Sequence, residues 1–125
     1  MTSTETTTEF GTIFDTLRLL LLPYAEELDC REDISGKIYI NTHYLMKNQK
    51  PVFFASVEIR KNYVSYHLMP MYVNPDLVTN ISAELSKRIQ GKSCFNFQET
   101  DNVLFAELRQ LTTDGYHYYV ECGYI

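Results

Sequence analysis

The amino-acid sequence predicts an α+β fold in which an antiparallel β-sheet packs against helices within a single domain. Between Phe10 and Leu28, apolar residues recur every three or four positions, as they do in an amphipathic helix. Between Gly36 and Pro70 the spacing changes to two, which is typical of β-strands. The length of 125 residues suits one domain that buries roughly two-thirds of the surface exposed by its unfolded chain.

The N-terminal part is predicted to contain an arm, a helix and a polar link. Residues 1–8 are polar and rich in threonine, so we predict a disordered arm and assign residues 9–125 to the domain. The helix carries its apolar residues on one side and should lie against a large apolar surface. Residues 29–36 are mostly polar and are predicted to link this helix to the first strand.

Three strands are predicted over residues 38–44, 52–59 and 63–69. Short polar turns separate these strands, and such connections indicate an antiparallel meander whose apolar face the first helix covers. Alternation within the second strand assigns one shared face to Phe53, Ala55, Val57 and Ile59.

A second helix is predicted after the meander. Asn74 is a suitable N-cap and Pro75 a suitable first helical residue. The helix should run toward Gly91, which is expected to end it in a left-handed conformation. If Ser82 caps a second segment, two short helices replace the single one.

A fourth strand and a closing helix complete the prediction. Residues 94–97 alternate and form the strand, and Thr100 or Asp101 caps the helix that follows. The predicted order of elements is therefore α-β-β-β-α-β-α.

Charge and composition indicate which partners to expect. The net charge of -5 repels a phosphate backbone, so no nucleic-acid partner is predicted. The densest apolar run, residues 19–22, is far shorter than the ~20 residues of a membrane-spanning helix, so no membrane partner is predicted. Widely spaced Cys30, Cys94 and Cys122 fit the reduced thiols of a cytoplasmic protein better than a disulfide scaffold.

The tripeptide Gly91-Lys92-Ser93 matches the end of a nucleotide-binding P-loop. In a P-loop, however, a glycine stands at the position of Ser86, and the motif joins a strand to a following helix. The predicted order here is the reverse, so we predict no P-loop. Lys92 with Arg88 and Lys87 forms either a small cationic rim for an anionic ligand or a solvated helix end.

Ser65 and His67 lie two positions apart on one strand and therefore share a face. Their Cα atoms should be about 6.6 Å apart, which is unfavourable for the ~3 Å contact of a nucleophile with its base. We therefore expect His67 to bond a neighbouring group or water. An enzyme that uses His67 with Ser65 or Cys94 remains a less favoured alternative, and no catalytic residue is predicted.

An acidic segment near the end of the first helix is the candidate for metal binding. The histidines do not show the spacing of zinc ligands. Carboxylate oxygens bind hard cations, although such a run is also typical of a solvated helix end. The residues concerned are Glu26, Glu27, Asp29, Glu32 and Asp33.

Tyrosine is abundant, with ten residues. Because this side chain combines apolar area with a hydroxyl group, its abundance indicates either a ligand-binding groove, a surface for homodimer formation, or the rim of a small core. Together with the histidine and cationic residues above, the predicted ligand-binding set is Tyr39, Tyr66, His67, Arg88 and Lys92.

The stretches YVSYHLMPMY, ISAELSKRIQGKSCFNF and LFAELRQLT, within residues 36–115, resemble the YdhG-like family of small bacterial domains of unknown function. The features that match are a Tyr-Val-Ser strand, a helix that ends in Gly-Lys, a short aromatic strand and a closing helix. The resemblance implies an antiparallel sheet backed by helices over residues 9–125. It also implies a relation to frataxin-like proteins, which handle iron through an acidic ridge.

The leading interpretation is a non-catalytic cytoplasmic binding module without a cofactor. Its partner would be a small molecule or a protein bound at the Tyr/His face of the sheet. The alternative implied by the resemblance is an iron-binding or iron-delivery protein that uses the acidic segment.

Overall fold

A computed structural model of the chain describes the backbone of residues 2–125 and the side chains from Glu9 onward. It confirms the predicted single α+β domain with an antiparallel sheet packed against helices. In chain order, the described elements are α1 (Thr2–Glu27), β1 (Asp29–Ile34), β2 (Lys37–Leu45), β3 (Pro51–Ile59), β4 (Val64–Leu68), α2 (Met69–Val73), a 3₁₀ helix (Pro75–Val78), α3 (Ala83–Ser86), β5 (Ile89–Gln90), β6 (Cys94–Phe97) and α4 (Asn102–Cys122).

The sheet has the strand order β1-β2-β3-β4-β6-β5, and each neighbouring pair is antiparallel. Helices α1 and α4 pack on the same face of this sheet. Phe105 of α4 contacts Phe97 of β6 edge to face, with ring centroids 5.0 Å apart, and Tyr24 of α1 contacts Phe54 of β3 at 5.3 Å. The core lies between this face and the two helices.

The start of α1 differs from the predicted disordered arm over residues 1–8. The helical backbone extends back to Thr2, whereas Met1 and the side chains of residues 1–8 lie outside the described part of the chain. The buried stripe of α1 includes Ile13, Leu17 and Leu21, each 0% exposed. These residues occupy one side of the helix at the predicted spacing of three to four residues.

Strand β1 replaces the predicted polar link over residues 29–36, so that prediction was wrong. The strand lies at the edge of the sheet, where charged side chains are common because they discourage pairing with another chain. Glu32 pairs with Lys37 on β2, with 2.9 Å between Oε1 and Nζ. Asp33 accepts two hydrogen bonds from the Arg18 guanidinium on α1. Strand β1 therefore carries charged side chains instead of the alternating apolar residues from which a strand can be predicted.

Residues 74–90 do not form one helix, and the structure corresponds to the alternative with two short helical segments. The Asn74 side chain caps the 3₁₀ helix by accepting from a backbone amide 3.2 Å away. Ser82 caps α3, and its hydroxyl donates to Glu107 of α4 at 2.6 Å. This segment is therefore stabilised by α4 rather than by its own helical length.

Gly91 has the predicted left-handed backbone, with φ 71°, but it does not end a helix. It lies in the turn between β5 and β6, and these strands form a hairpin. Positive φ is needed at a tight hairpin turn as well as at a helix end, so the sequence signal was the same for both. The turn places Lys92 and Ser93 beside the sheet instead of at a helix terminus.

Helix α4 confirms the prediction of a closing helix, and of the two predicted caps, Thr100 and Asp101, the cap is Asp101. The Asp101 carboxylate accepts from the amide of Leu104 at 3.1 Å. No described helix is both long and apolar enough to cross a membrane.

Candidate functional site

The face of the sheet that points away from α1 and α4, called here the outer face, carries the predicted histidine. Along β4, Val64, Tyr66 and Leu68 are fully buried toward the helices, and Ser65 and His67 between them are half-buried. Successive side chains of a strand point to opposite faces. Tyr66 and His67 therefore lie on opposite sides of the sheet.

Three rings form a continuous row on the outer face. Tyr39 of β2 stacks on Phe53 of β3, with ring centroids 4.6 Å apart and an angle of 22° between the planes. Phe53 contacts His67 of β4 edge to face at 4.8 Å. Ser56 is paired with both Tyr39 and His67 in the strand register and is only 9% exposed, so it lies beneath or between these rings on the outer face. The three rings are called the aromatic row below.

A β-bulge places Phe53 in the aromatic row. Ile40 pairs with Ala55, but the next residue of β2, Asn41, pairs with Phe53, so β3 has one extra residue at this point. The extra residue is Phe54, which is fully buried in the core. Phe53 was predicted to share a face with Ala55. That prediction was wrong because the bulge interrupts the alternation.

Tyr119 of α4 stabilises the bulge from the core side. Its hydroxyl donates to the backbone carbonyl oxygen of Phe53 at 2.8 Å. Burial raises the pKa of Tyr119, so the hydroxyl keeps its proton and remains a donor. A buried side chain thus fixes the backbone of the residue whose ring lies at the centre of the row.

His67 is held by a residue of the β5–β6 turn. Nε2 of His67 lies 2.7 Å from Oγ of Ser93. Burial lowers the pKa of His67 because a charged imidazolium loses solvation, so the ring is neutral at pH 7. The hydroxyl partner is Ser93 rather than Ser65, and Cys94 lies across from His67 in the β4–β6 pairing.

A polar cavity of about 420 Å³ lies where the outer face reaches β5 and β6. This edge cavity contains Arg88 from the predicted set, and Arg88 is 3.7 Å from the Glu99 carboxylate. Gln98 donates from its side chain to the carbonyl oxygen of Asn62 at 3.1 Å, which fixes one wall. The residues that line the edge cavity are Tyr63, Lys87, Arg88, Gln90, Asn96 and Gln98.

Lys92 lies in a different depression, a largely apolar cleft of about 520 Å³. This cleft separates α2 and the 3₁₀ helix from the β5–β6 turn. The residues that line the cleft are Met71, Tyr72, Pro75, Val78, Ile89, Gly91 and Lys92. The predicted cationic rim is therefore divided, because the turn directs Lys92 away from Lys87 and Arg88.

The structure brings together only part of the predicted ligand-binding set. Tyr39 and His67 meet through Phe53, and Arg88 lies farther along the same face. Tyr66 is 0% exposed in the core, where its hydroxyl is bonded to Thr112, so it does not line the outer face.

Phe53 and Ser93 were missed as members of the site. A bulge has no clear signature in an alternating sequence, and Ser93 was considered only as part of the P-loop-like tripeptide. The contact between Ser93 and His67 depends on the hairpin turn, which the sequence did not indicate.

The acidic segment is distributed among separate contacts. Asp33 pairs with Arg18, which lowers the pKa of that carboxyl group. Glu27 accepts from the Tyr116 hydroxyl at 2.7 Å. Asp29 lies 3.5 Å from Arg31, Glu32 pairs with Lys37, and Glu26 is exposed near the end of α1. Within the described part of the chain, no three His, Cys, Asp or Glu residues form a group able to hold a metal ion.

Comparisons with protein-family models, with curated proteins and with solved structures each found no match to this chain. The resemblance to YdhG-like domains stays a prediction.

Proposed function

We propose that the chain is a non-catalytic binding module that takes a small ligand with a planar ring on the outer face of its sheet. The observation that supports this most directly is the aromatic row, in which Phe53 contacts both Tyr39 and His67. The row gives the sheet a continuous aromatic surface that a planar ring can contact, and stacking of a base on an aromatic side chain contributes ~1–3 kcal/mol in proteins that bind single-stranded nucleic acids.

The surroundings of the row favour a small ligand over a large protein partner. Charged residues border the rings: Lys37 lies 5.8 Å from the centroid of the Tyr39 ring and is paired with Glu32. The buried centre of a protein interface is depleted in charged residues. Large, strongly exposed apolar side chains lie away from the rings, as Leu45 does at the opposite end of β2 from Lys37 and Val103 does on α4.

The surroundings of His67 favour binding over catalysis. A serine–histidine pair needs a third group that orients the imidazole, usually a carboxylate that accepts from its second nitrogen. The ring that contacts His67 is Phe53, which cannot accept such a hydrogen bond in its plane. The contact with Ser93 therefore orients His67 as part of a rigid platform.

The experiment is an NMR titration of the ¹⁵N-labelled chain with indole and adenosine, two neutral compounds that each contain a planar ring system. We expect chemical-shift changes centred on Tyr39, Phe53 and His67. The variant Phe53→Leu retains an apolar side chain of similar size but removes the central ring, and should weaken binding about tenfold, within the range for a lost stacking contact. Tyr72→Leu removes an exposed ring on α2 and should leave the response of the row unchanged.

Three results would contradict this proposal. The first is that neither compound shifts the signals of the row at millimolar concentration. The second is that Phe53→Leu binds both compounds as well as the unchanged chain does. The third is that the signals of the row shift with protein concentration alone, which would assign the row to contacts between two copies.

A further inference from the structure

We propose that the edge cavity binds a phosphate group, which is the anionic part of the same ligand whose ring stacks on the aromatic row. This inference rests on the proposed function, because it assigns a second portion of that ligand. It does not use the P-loop-like tripeptide, since Lys92 lines a different cleft.

The lining of the edge cavity is rich in hydrogen-bond donors. Of the six described residues that line it, Lys87 and Arg88 are cationic and four are neutral. Gln90, Asn96 and Gln98 contribute side-chain amides, and Tyr63 contributes a hydroxyl. A phosphate group presents more acceptor oxygens and more negative charge than a carboxylate, so it can form more hydrogen bonds and stronger charge contacts with this lining. The cavity is a local positive site on a chain whose net charge is -5.

Gln90 and Asn96 of the lining lie on the paired strands β5 and β6, and the other lining residues closely flank strands. Asn96 of β6 donates from its backbone amide to the carbonyl oxygen of Arg88 at 2.9 Å, which fixes the chain just before β5. The Arg88 side chain is 32% exposed and therefore remains accessible to an anion. Its partner Glu99 is 70% exposed, and the 3.7 Å between them is a loose contact that an incoming phosphate can displace.

The cavity adjoins the aromatic row on the outer face. His67 pairs with Cys94, and Asn96 lies two residues farther along β6 on the same face. Diagonal neighbours on adjacent antiparallel strands are about 7–8 Å apart. A ligand that carries a ring and a phosphate a few bonds apart can therefore contact His67 and the edge cavity at the same time.

The experiment compares adenosine, adenosine 5′-monophosphate, inorganic phosphate and acetate as probes of the full chain, by NMR titration at low salt in a buffer without phosphate. We expect the monophosphate to bind about tenfold more tightly than adenosine, as one or two charge-assisted hydrogen bonds provide. Inorganic phosphate should shift the signals of Asn96 and Gln98 more than acetate does. Lys87→Gln and Arg88→Gln should each remove most of the advantage of the monophosphate.

Two further variants make the test specific. Lys92→Gln removes the same charge from the neighbouring turn and should leave phosphate binding unchanged. Glu99→Gln frees Arg88 from its acidic partner and should tighten phosphate binding about twofold to fivefold, in line with the loss of a surface ion pair. If Lys92→Gln and Lys87→Gln weakened phosphate binding equally, the effect would depend on net charge alone, and the proposed site would be overturned.

The probes separate the failure of this site from the failure of the proposed function. Suppose that adenosine and indole bind at the aromatic row, but phosphate does not shift the NMR signals of the edge cavity or acetate binds there equally well. The phosphate site is then wrong, and the proposed binding of a planar ring at the aromatic row stands. If phosphate binds in the cavity but no planar compound reaches the row, the assignment of both parts to one ligand is overturned.

Discussion

The hydroxyl of Tyr66 donates a hydrogen bond to Oγ1 of Thr112, which joins the centre of the sheet to α4 across the core. The direction follows from the second contact of Thr112, whose single hydroxyl proton is donated to the carbonyl oxygen of Leu108 at 2.7 Å. Thr112 can then only accept from Tyr66. Burial raises the pKa of Tyr66, which keeps the donor protonated.

This direction predicts unequal effects of removing the two partners. Thr112→Val leaves a buried tyrosine hydroxyl without an acceptor and should lower the free energy of unfolding by about 1–3 kcal/mol. Tyr66→Phe leaves Thr112 bonded to Leu108 and should cost less, about 0.5–1.5 kcal/mol. Urea denaturation of both variants and of the double variant measures the difference. A larger loss for Tyr66→Phe than for Thr112→Val would contradict the assigned direction.

Two glycines in helices predict opposite responses to alanine. Gly11 in α1 has open space where a Cβ atom would lie, so Gly11→Ala should stabilise the chain by about 0.5–1 kcal/mol through helix propensity. At Gly115 in α4, an added Cβ would lie 3.0 Å from Cβ of Pro70 and 3.2 Å from its Cγ. These distances are shorter than the ~3.5–4.0 Å preferred between carbon atoms, and a proline ring cannot rotate away.

We therefore expect Gly115→Ala to be at least about 1 kcal/mol less favourable than Gly11→Ala, which is the lower range of overpacking costs. Thermal and urea unfolding of the two variants provide the comparison. Equal stabilisation by both substitutions would show that α2 can move away from α4 without cost.

The bulge predicts a connection between a core hydroxyl and the outer face. Tyr119→Phe removes the hydrogen bond to the carbonyl oxygen of Phe53 and should lower the free energy of unfolding by about 0.5–1.5 kcal/mol. It should also shift the NMR signals of Phe53 and weaken indole binding, although Tyr119 does not belong to the row. Tyr118→Phe is the matched control on the adjacent residue of α4. If the two variants bind indole equally well, the hydroxyl of Tyr119 does not position the row.

The sequence predicted the central strands well because each has one face toward helices and one face away from them. The alternation of Val64, Tyr66 and Leu68 with more polar neighbours is visible without any structure. Strand β1 was missed because most of its side chains are charged, as is common at a sheet edge, and Glu32 pairs with Lys37 instead of packing in the core.

The candidate site was harder to predict than the fold, because it depends on two local irregularities. The bulge between β2 and β3 moves Phe53 to the outer face, and alternation alone assigns it to the core. The turn at Gly91 is a hairpin instead of a helix end, and this choice depends on the pairing of β5 with β6. This hairpin turn separates Lys92 from Arg88 and brings Ser93 into contact with His67. Both features arise from contacts between distant parts of the chain, so no short window of sequence contains them.

The neutral state of His67 predicts how stability changes with pH. Burial lowers the pKa of His67 in the folded chain below its ordinary value of about 6.5. Well above pH 6.5 the imidazole is neutral in both states, and the folded chain has its full stability with respect to this group. As the pH falls through the range below about 6.5, the unfolded chain takes up the proton first, so the free energy of unfolding decreases until the folded state is protonated as well.

The measurement is urea denaturation at several pH values between about 7.5 and 5, for the unchanged chain and for His67→Gln. The chain should lose stability over this range, and part of that loss should be missing in His67→Gln because glutamine does not titrate. NMR titration of the His67 ring should give a pKa below that of a histidine in an unfolded peptide. The same titration of Ser93→Ala measures how much the contact with Ser93 Oγ changes this pKa. A folded-state pKa at or above the ordinary value of about 6.5 would contradict this prediction, because a substantial share of the His67 rings would then be charged near neutral pH.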